Sequence, residues 1–511
     1  MRPPINKAGA GVVLTVALLV VSAVIYWLSF PDILMVQGAS FLAWGCAFPL
    51  FWALEGKPWQ LRLLLGVGWG FLSNGLLLGW LIPVSWAGWF VFTGALSIQG
   101  VLFFLFFPTS EGSVYLRLFL LPSVWVFSEW VRAIVLGGFV WSLGYSQASW
   151  PEFLQAASWG GVYALAWVVV FVNAAVFLGV RCMMVHRMRR RFFMAPALVL
   201  AFFLIAGALR IARFEAVDAV RVATIQPNIV PEEKIKDELY DVNVTRHMAL
   251  AKKVTVAGNL GPEDIVVWPE TAFTDDVLTD IKWRPRLEDA ARNLNVHMLV
   301  GSALLWDGHD LNSAVMLSPS GVWLGVYHKM HLVPFTEKIP RGFRDFARVL
   351  GVGKYDFTAG TRPGIMRFGR HRLGVVICSE EFYPDMFRHL SQGGVDVAVV
   401  MLNDGWFKRP EALWLHALMA PVRAVESGLP VVRAANTGKT CAFDGVGRPL
   451  GRVPELNRPG VGFYRVPLSS GRTIYAQWGD IFALACSVFV IITFLVIHFR
   501  YVKLGLRNAV Q

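Results

Sequence analysis

Eight apolar stretches, each roughly 18–25 residues long and so able to cross a bilayer as a helix, constrain this chain more than any other feature. They fall near residues 9–29, 33–54, 61–82, 88–107, 116–137, 161–180, 195–212 and 481–498. Apolar residues make up 55% of the 511 and charged residues only 16%, which excludes an ordinary soluble protein. The first stretch has a long apolar core with no Ala-x-Ala-like site behind it, so it reads as an anchor and not a cleaved leader. Between the seventh and eighth stretches lies a segment of ordinary polarity. The expected fold class is a multi-span α-helical membrane bundle of eight transmembrane helices carrying an external α/β domain. Residues 1–212 would form a membrane domain of seven helices, 213–480 the external domain, and 481–511 the eighth helix and a tail.

The basic residues orient that arrangement. Arg2 and Lys7 precede the first stretch, and the even-numbered loops carry Lys57, Arg62, Arg117, Arg181, Arg187, Arg189, Arg190 and Arg191. The odd-numbered loops, around Pro31, Val84 and Ser149, hold neither Lys nor Arg, and the tail holds Arg500, Lys503 and Arg507. Positive charge stays on the cytoplasmic side, so both termini are expected there and the polar segment outside. The net charge of +12 is then largely topology-setting charge meeting anionic lipid, and no nucleic-acid partner is expected. Of five cysteines, Cys46, Cys182 and Cys486 lie in or beside apolar stretches, while Cys378 and Cys441 fall in the polar segment. That is no disulfide framework.

The polar segment alternates short apolar runs with amphipathic ones. Strands are expected at residues 220–226, 265–268, 297–302, 314–318, 373–378, 395–402 and 431–436, and helices at 233–257, 285–294, 383–393 and 411–428. Runs such as Val397 to Leu402 are apolar throughout, as strands buried on both faces are. The pattern predicts sheets covered by helices. Residues 339–364 form a long loop rich in Gly, Arg and Phe, expected to be a lid whose Phe343, Phe346, Val349 and Leu350 rest on the bilayer.

Three charged or reactive stations close β-like runs: Trp268-Pro269-Glu270, Tyr327-His328-Lys329 and Val376-Ile377-Cys378. Each has an ordinary explanation. A lone cysteine at a strand end is usually a small buried hydrophobe, the glutamate serves equally as a helix cap, and the lysine as a surface charge. Together they are the parts of a cysteine acyl-transfer site. The thiol needs its proton removed before it is a good nucleophile. A carboxylate shielded by Trp268 and Pro269 is a suitable base, and a fixed cation offsets charge developing on an acyl oxygen. A helix beginning just after Cys378 is expected to favour the thiolate further. No metal-ligand cluster or phosphate-cradling glycine pattern stands out, so no metal and no cofactor are expected.

These stations resemble the triad of the nitrilase, or carbon–nitrogen hydrolase, superfamily, whose fold is an αββα sandwich. With the membrane part they resemble its membrane-bound branch, the apolipoprotein N-acyltransferases. The likeness extends to Gln226-Pro227-Asn228-Ile229, Leu311-Asn312-Ser313, His331-Leu332-Val333-Pro334-Phe335 with Glu337, Asn403-Asp404-Gly405-Trp406-Phe407 and Ala435-Asn436-Thr437-Gly438. In the membrane part it includes Glu129-Trp130-Val131-Arg132, Gly138-Phe139-Val140-Trp141 and Gly144-Tyr145-Ser146-Gln147.

The resemblance implies Cys378 as nucleophile, Glu270 as base, Lys329 as oxyanion stabiliser, Glu337 as the carboxylate holding Lys329, and Glu380 as a support beside the nucleophile. It implies a ping-pong reaction at the extracytoplasmic face of the cell inner membrane. An acyl chain passes from a phospholipid to Cys378 as a thioester, then to the α-amine of the diacylglyceryl-cysteine of an apolipoprotein. Trp406 and Phe407 are expected to line an acyl pocket and Asn312 to contact substrate. Trp141, Tyr145 and Gln147 are expected in an external loop near the lipid entrance, and Glu129 and Arg132 as an internal ion pair, since charges at that depth are costly unless paired. Three positions depart from the family pattern: Ser379 replaces a tyrosine, Thr336 a glycine, and Ile235 a tryptophan. They keep open a membrane-anchored amidase or an acyltransferase for another amine. A transporter is disfavoured, because the spans show no paired halves.

Overall fold

The computed structural model describes residues 7–108, 113–185, 191–339, 356–469 and 471–508. The chain divides into two compact units, Met1–Leu209 with Trp478–Gln511, and Arg210–Gln477.

The first unit is helical. Among the described residues six helical spans are long and apolar enough to cross a membrane: Gly11–Leu28, Trp86–Leu105, Val114–Val135, Ala157–Met184, Phe192–Ala212 and Ile481–Phe499. The second and third expected spans come out differently. Residues 33–39 form a turn in which the Asp32 carboxylate accepts from the Leu34 and Met35 amides, and helix is regular only over Ala43–Leu54. The Trp59–Leu77 helix carries Arg62, Ser73 and Asn74 buried, which dilutes its apolar character. The Ala157–Met184 helix is broken near its start by Gly160 and by Gly161, whose φ is 65°.

Two expectations about this unit are corrected. Glu129 and Arg132 are buried, but among the described residues they do not pair directly. Glu129 accepts from Trp125 Nε1 (2.8 Å), Ser142 Oγ (2.6 Å) and the Leu143 amide (2.9 Å). Arg132 donates to the Gln99 side-chain oxygen, and Gln99 Nε2 lies 3.5 Å from Glu129, so an amide stands between the charges. Trp141, Tyr145 and Gln147 do not line an open loop: all three are buried. Tyr145 and Gln147 sit on a short 3-10 helix, Leu143–Gln147, and Gln147 accepts from Trp44 Nε1 while donating to the Ser40 carbonyl. The Gln147 amide is thus satisfied by neighbouring chain, where the glycine-rich segment folds back into the bundle.

The second unit contains twelve strands among the described residues: β1 (Asp218–Gln226), β2 (Ile265–Val267), β3 (Phe273–Asp276), β4 (His297–Trp306), β5 (His309–Leu317), β6 (Trp323–His328), β7 (Gly364–Phe368), β8 (His371–Ile377), β9 (Val397–Leu402), β10 (Val431–Ala435), β11 (Cys441–Phe443) and β12 (Gly460–Leu468). One sheet runs β12-β1-β2-β4-β5-β6, with β3 beside β4; the other runs β11-β10-β9-β8-β7. Their inner faces make one core, in which Val222, Val267 and Met316 of the first sheet meet Val375, Val399 and Val432 of the second. The outer face of the first sheet packs Ile225, Val266 and Val300 on the Tyr240–Gly258 and Trp283–Leu294 helices. The result is an αββα sandwich.

Residues 411–428 form two helices, Pro410–Ala417 and Met419–Ser427, not one. Pro421 lacks an N–H and its ring crowds the carbonyl four residues back, which is where the break falls. The expected lid residues Phe343, Phe346, Val349 and Leu350 lie outside the described residues.

Candidate active site

Glu270 and Lys329 come from one sheet and Cys378 from the other. β2 runs parallel to β4, and β6, antiparallel to β5, shares their sense, so the chain leaves β2 and β6 at the same edge. Glu270 follows β2 by a turn in which Thr271 has φ of 47°. Lys329 follows β6 directly, its amide donating to the Asn312 carbonyl of β5 at 2.8 Å. Cys378 ends β8 with φ of 52°, a region that non-glycine residues enter only when their surroundings hold them there.

The lysine, expected to compete with a surface role, is only 1% exposed. Its Nζ donates to Glu337 Oε1 at 2.9 Å and to Glu270 Oε1 at 3.4 Å. Asn312 Nδ2 donates to the same two carboxylates, at 2.8 Å to Glu270 and 3.0 Å to Glu337. Asn312 therefore braces the glutamates; it was expected to contact substrate, and the structure gives its amide nitrogen this other task. Glu337 also accepts from the Val333 amide at 2.8 Å. Burial opposes charge on Lys329, but Glu337 and then Glu270 outweigh it and hold the ammonium protonated well above its usual value.

Glu380 joins the two sheets at this point. It is fully buried and accepts from Tyr327 Oη (2.8 Å), the Met330 and His331 amides (2.6 and 3.1 Å) and the Ile377 amide (2.7 Å). The segment after Lys329 is thereby fastened to the segment bearing Cys378. Burial raises the Glu380 carboxyl, and these donors work against that rise.

Cys378 itself is half-buried. Burial first, and then the negative charge of Glu270, push its thiol well above the ordinary range, while Lys329 pulls the other way. The expected thiolate-favouring helix start does not prevail: a 3-10 turn, Cys378–Phe382, separates the sulfur from the Pro384–Gln392 helix. The resting group is a thiol, so its proton must leave during attack. Trp406 is 39% exposed and Phe407 half-buried on the Asp404–Phe407 turn, whose buried Asp404 also raises the Cys378 thiol. Of the departures, Thr336 and Ile235 are exposed, and Ser379 Oγ lies 3.4 Å from the His331 carbonyl. Among the described residues no three His, Cys, Asp or Glu side chains are grouped to hold a metal ion.

Sequence reasoning did not single out Lys234, whose Nζ lies 3.0 Å from the Glu270 carbonyl, nor Tyr327 and Asp404 as neighbours of the site. A buried lysine after Pro-Glu-Glu carries no sequence signal of its own.

Residues 221–474 match the carbon-nitrogen hydrolase family, and residues 22–175 match the apolipoprotein N-acyltransferase N-terminal domain. The apolipoprotein N-acyltransferase of Geobacter metallireducens is 33% identical over 488 residues, covering 91% of this chain and 92% of its own. The chain belongs to the apolipoprotein N-acyltransferase family. Another relative of that name, from Methylococcus capsulatus, is 30% identical over 464 residues, 86% of each chain. A solved amidase from Nesterenkonia sp. aligns at TM-score 0.39 with 17% identity, over 52% of this chain and 97% of its own. The family's two matched segments fall one in each unit, and the thiol with its carboxylate and ammonium neighbours lies within the hydrolase segment. A thiol acyltransferase needs those three groups in reach of one carbonyl.

Proposed function

We propose that this member of the family completes lipoprotein maturation by moving an acyl chain from a phospholipid to the α-amine of an apolipoprotein's diacylglyceryl-cysteine. The observation carrying this reading is the Lys329 ammonium fixed between Glu270 and Glu337 beside the Cys378 thiol. Glu270 takes the Sγ proton as sulfur attacks the ester carbonyl, and Lys329 offsets the charge on the tetrahedral oxygen. Collapse expels the glycerol oxygen, which takes the proton back from Glu270 and leaves as the lysophospholipid. The neutral α-amine then attacks the thioester, Glu270 accepts its proton, and the departing sulfur recovers that proton. No electrons change hands and no further reactant is required.

Both substrates carry chains that stay in the bilayer, so the reading puts the chemistry at a membrane surface. The basic residues favour eight crossings, with the Ala43–Leu54 and Trp59–Leu77 helices supplying the second and third. On that topology both termini are cytoplasmic and the catalytic unit extracytoplasmic, at the cell inner membrane, and labelling of engineered cysteines in intact cells tests the sidedness. For the reaction, purified protein incubated with radiolabelled phospholipid should carry hydroxylamine-sensitive label on Cys378, which a diacylated lipopeptide discharges as an amide. Unlabelled wild type, or a thioester that persists in Cys378→Ser, overturns the mechanism. Discharge by another amine or by water, with the lipopeptide inert, overturns the acceptor.

A further inference from the structure

Lys234 ends the short Pro231–Lys234 helix, and its side chain turns inward and is buried. Its Nζ donates to the Glu270 backbone carbonyl at 3.0 Å and to Thr271 Oγ1 at 2.7 Å. Those residues make the turn that presents the base, and Thr271, a β-branched residue, sits in it at a φ of 47° that such side chains disfavour. On its other side the turn rests on Gly301 of β4. A Cβ there would stand 2.7 Å from the Thr271 nitrogen and 2.9 Å from Glu270 Cα. The turn is held between bare strand backbone and an ammonium group.

We propose that Lys234 is a positioning residue for the base: its ammonium clasps the main chain of Glu270 and Thr271, while Lys329 and Asn312 fix the carboxylate. The proposal deepens the acyl-transfer reading and rests on it for the part the base plays. The charge has a second consequence. Burial lowers the Lys234 ammonium to about 8, against the pull of Glu270 and Cys378, which favour its charged form. Attraction is mutual, so protonated Lys234 also favours the Cys378 thiolate. From the Tyr240–Gly258 helix His247 faces the same ammonium and is kept neutral, its imidazole lowered to about 3 by burial. On the lysine's own helix Glu232 pairs with Lys408 and Glu233 with Arg246 near the surface. A neutral amine still has two N–H groups, enough for both acceptors, so raising the pH past 8 removes the charge and leaves the clasp.

The test uses the full-length protein in detergent with three variants. Lys234→Met should slow thioester formation and lipopeptide discharge each by about 30-fold, with KM for phospholipid unchanged, since one carboxylate moves the proton in both steps. Lys234→Arg should recover part of that loss, and Thr271→Val, which removes only the hydroxyl acceptor, should lose about 5-fold. Alkylation of Cys378 by iodoacetamide, followed by mass spectrometry, needs no lipid. Its pH profile should show a shoulder near 8 in wild type that Lys234→Met lacks. If the Met variant turns over at the wild-type rate, loses only one half-reaction, or shows its whole loss in KM, the positioning role is wrong. If wild type takes no label from phospholipid, the acyl-transfer reading fails instead, and the alkylation profiles still decide whether Lys234 acts on the site.

Discussion

Both units bury ions of opposite sign beside a side-chain amide, yet the two clusters differ in one respect that matters. In the helical unit Gln99 stands between Arg132 and Glu129, and the carboxylate is satisfied by three further donors from Trp125, Ser142 and Leu143. One positive and one negative group balance there, both fully buried among helices. In the sandwich Asn312 stands between Glu270 and Glu337, one ammonium touches both carboxylates, and a half-buried thiol lies beside them. The first arrangement holds helices together, whereas the second sets two carboxylates beside a protonated sulfur.

The contrast is broken or sharpened by four measurements. Lys329→Met removes the cation that touches both carboxylates, and hydroxylamine-sensitive labelling of Cys378 should fall by about 1,000-fold or more. Survival of label within about 10-fold of wild type would erase the distinction drawn here. Glu129→Leu strands Arg132, and melting in detergent should show a loss of about 3–5 kcal/mol, while label per folded molecule stays within about 3-fold. Acid should act on the sandwich through His247, which stacks on Trp268 at 5.1 Å and whose imidazole burial lowers from 6.5 to about 3. The unfolded chain then binds the proton that the folded one refuses, so stability falls as pH drops from 6.5 towards 3, by about 1.4 kcal/mol per unit at most. His247→Leu should flatten that limb in pH-dependent melting. Smallest, Ser142→Ala deletes one of several donors to Glu129 and should cost about 1–2 kcal/mol with acyl transfer unaltered.

The three stations were readable because each puts a chemically odd residue at the end of an apolar run, and strand ends are where a sandwich exposes its chain. The all-apolar Val397–Leu402 strand was readable for the same reason: burial on both faces leaves no alternation to misread. What escaped was settled by partners distant in sequence. β12 is disguised by Gly460, Gly462 and Pro467, yet it pairs along all nine residues of β1. β7 is short and interrupted by Arg367, and only its inward Met366 and Phe368 mark it. Asn312 and Lys234 meet Glu270 across 42 and 36 residues, contacts that no local spacing announces. The thiol's high protonation was misjudged because a helix start was weighed without the carboxylates that the fold brings beside it.

Because the Cys378 sulfur hangs from one sheet and Glu270 and Lys329 from the other, the proposed reaction makes turnover a gauge of how the two layers register. Trimming a methyl from Val399 or Val375, deep between them, should let the layers settle by fractions of an ångström and dull catalysis well before the domain melts.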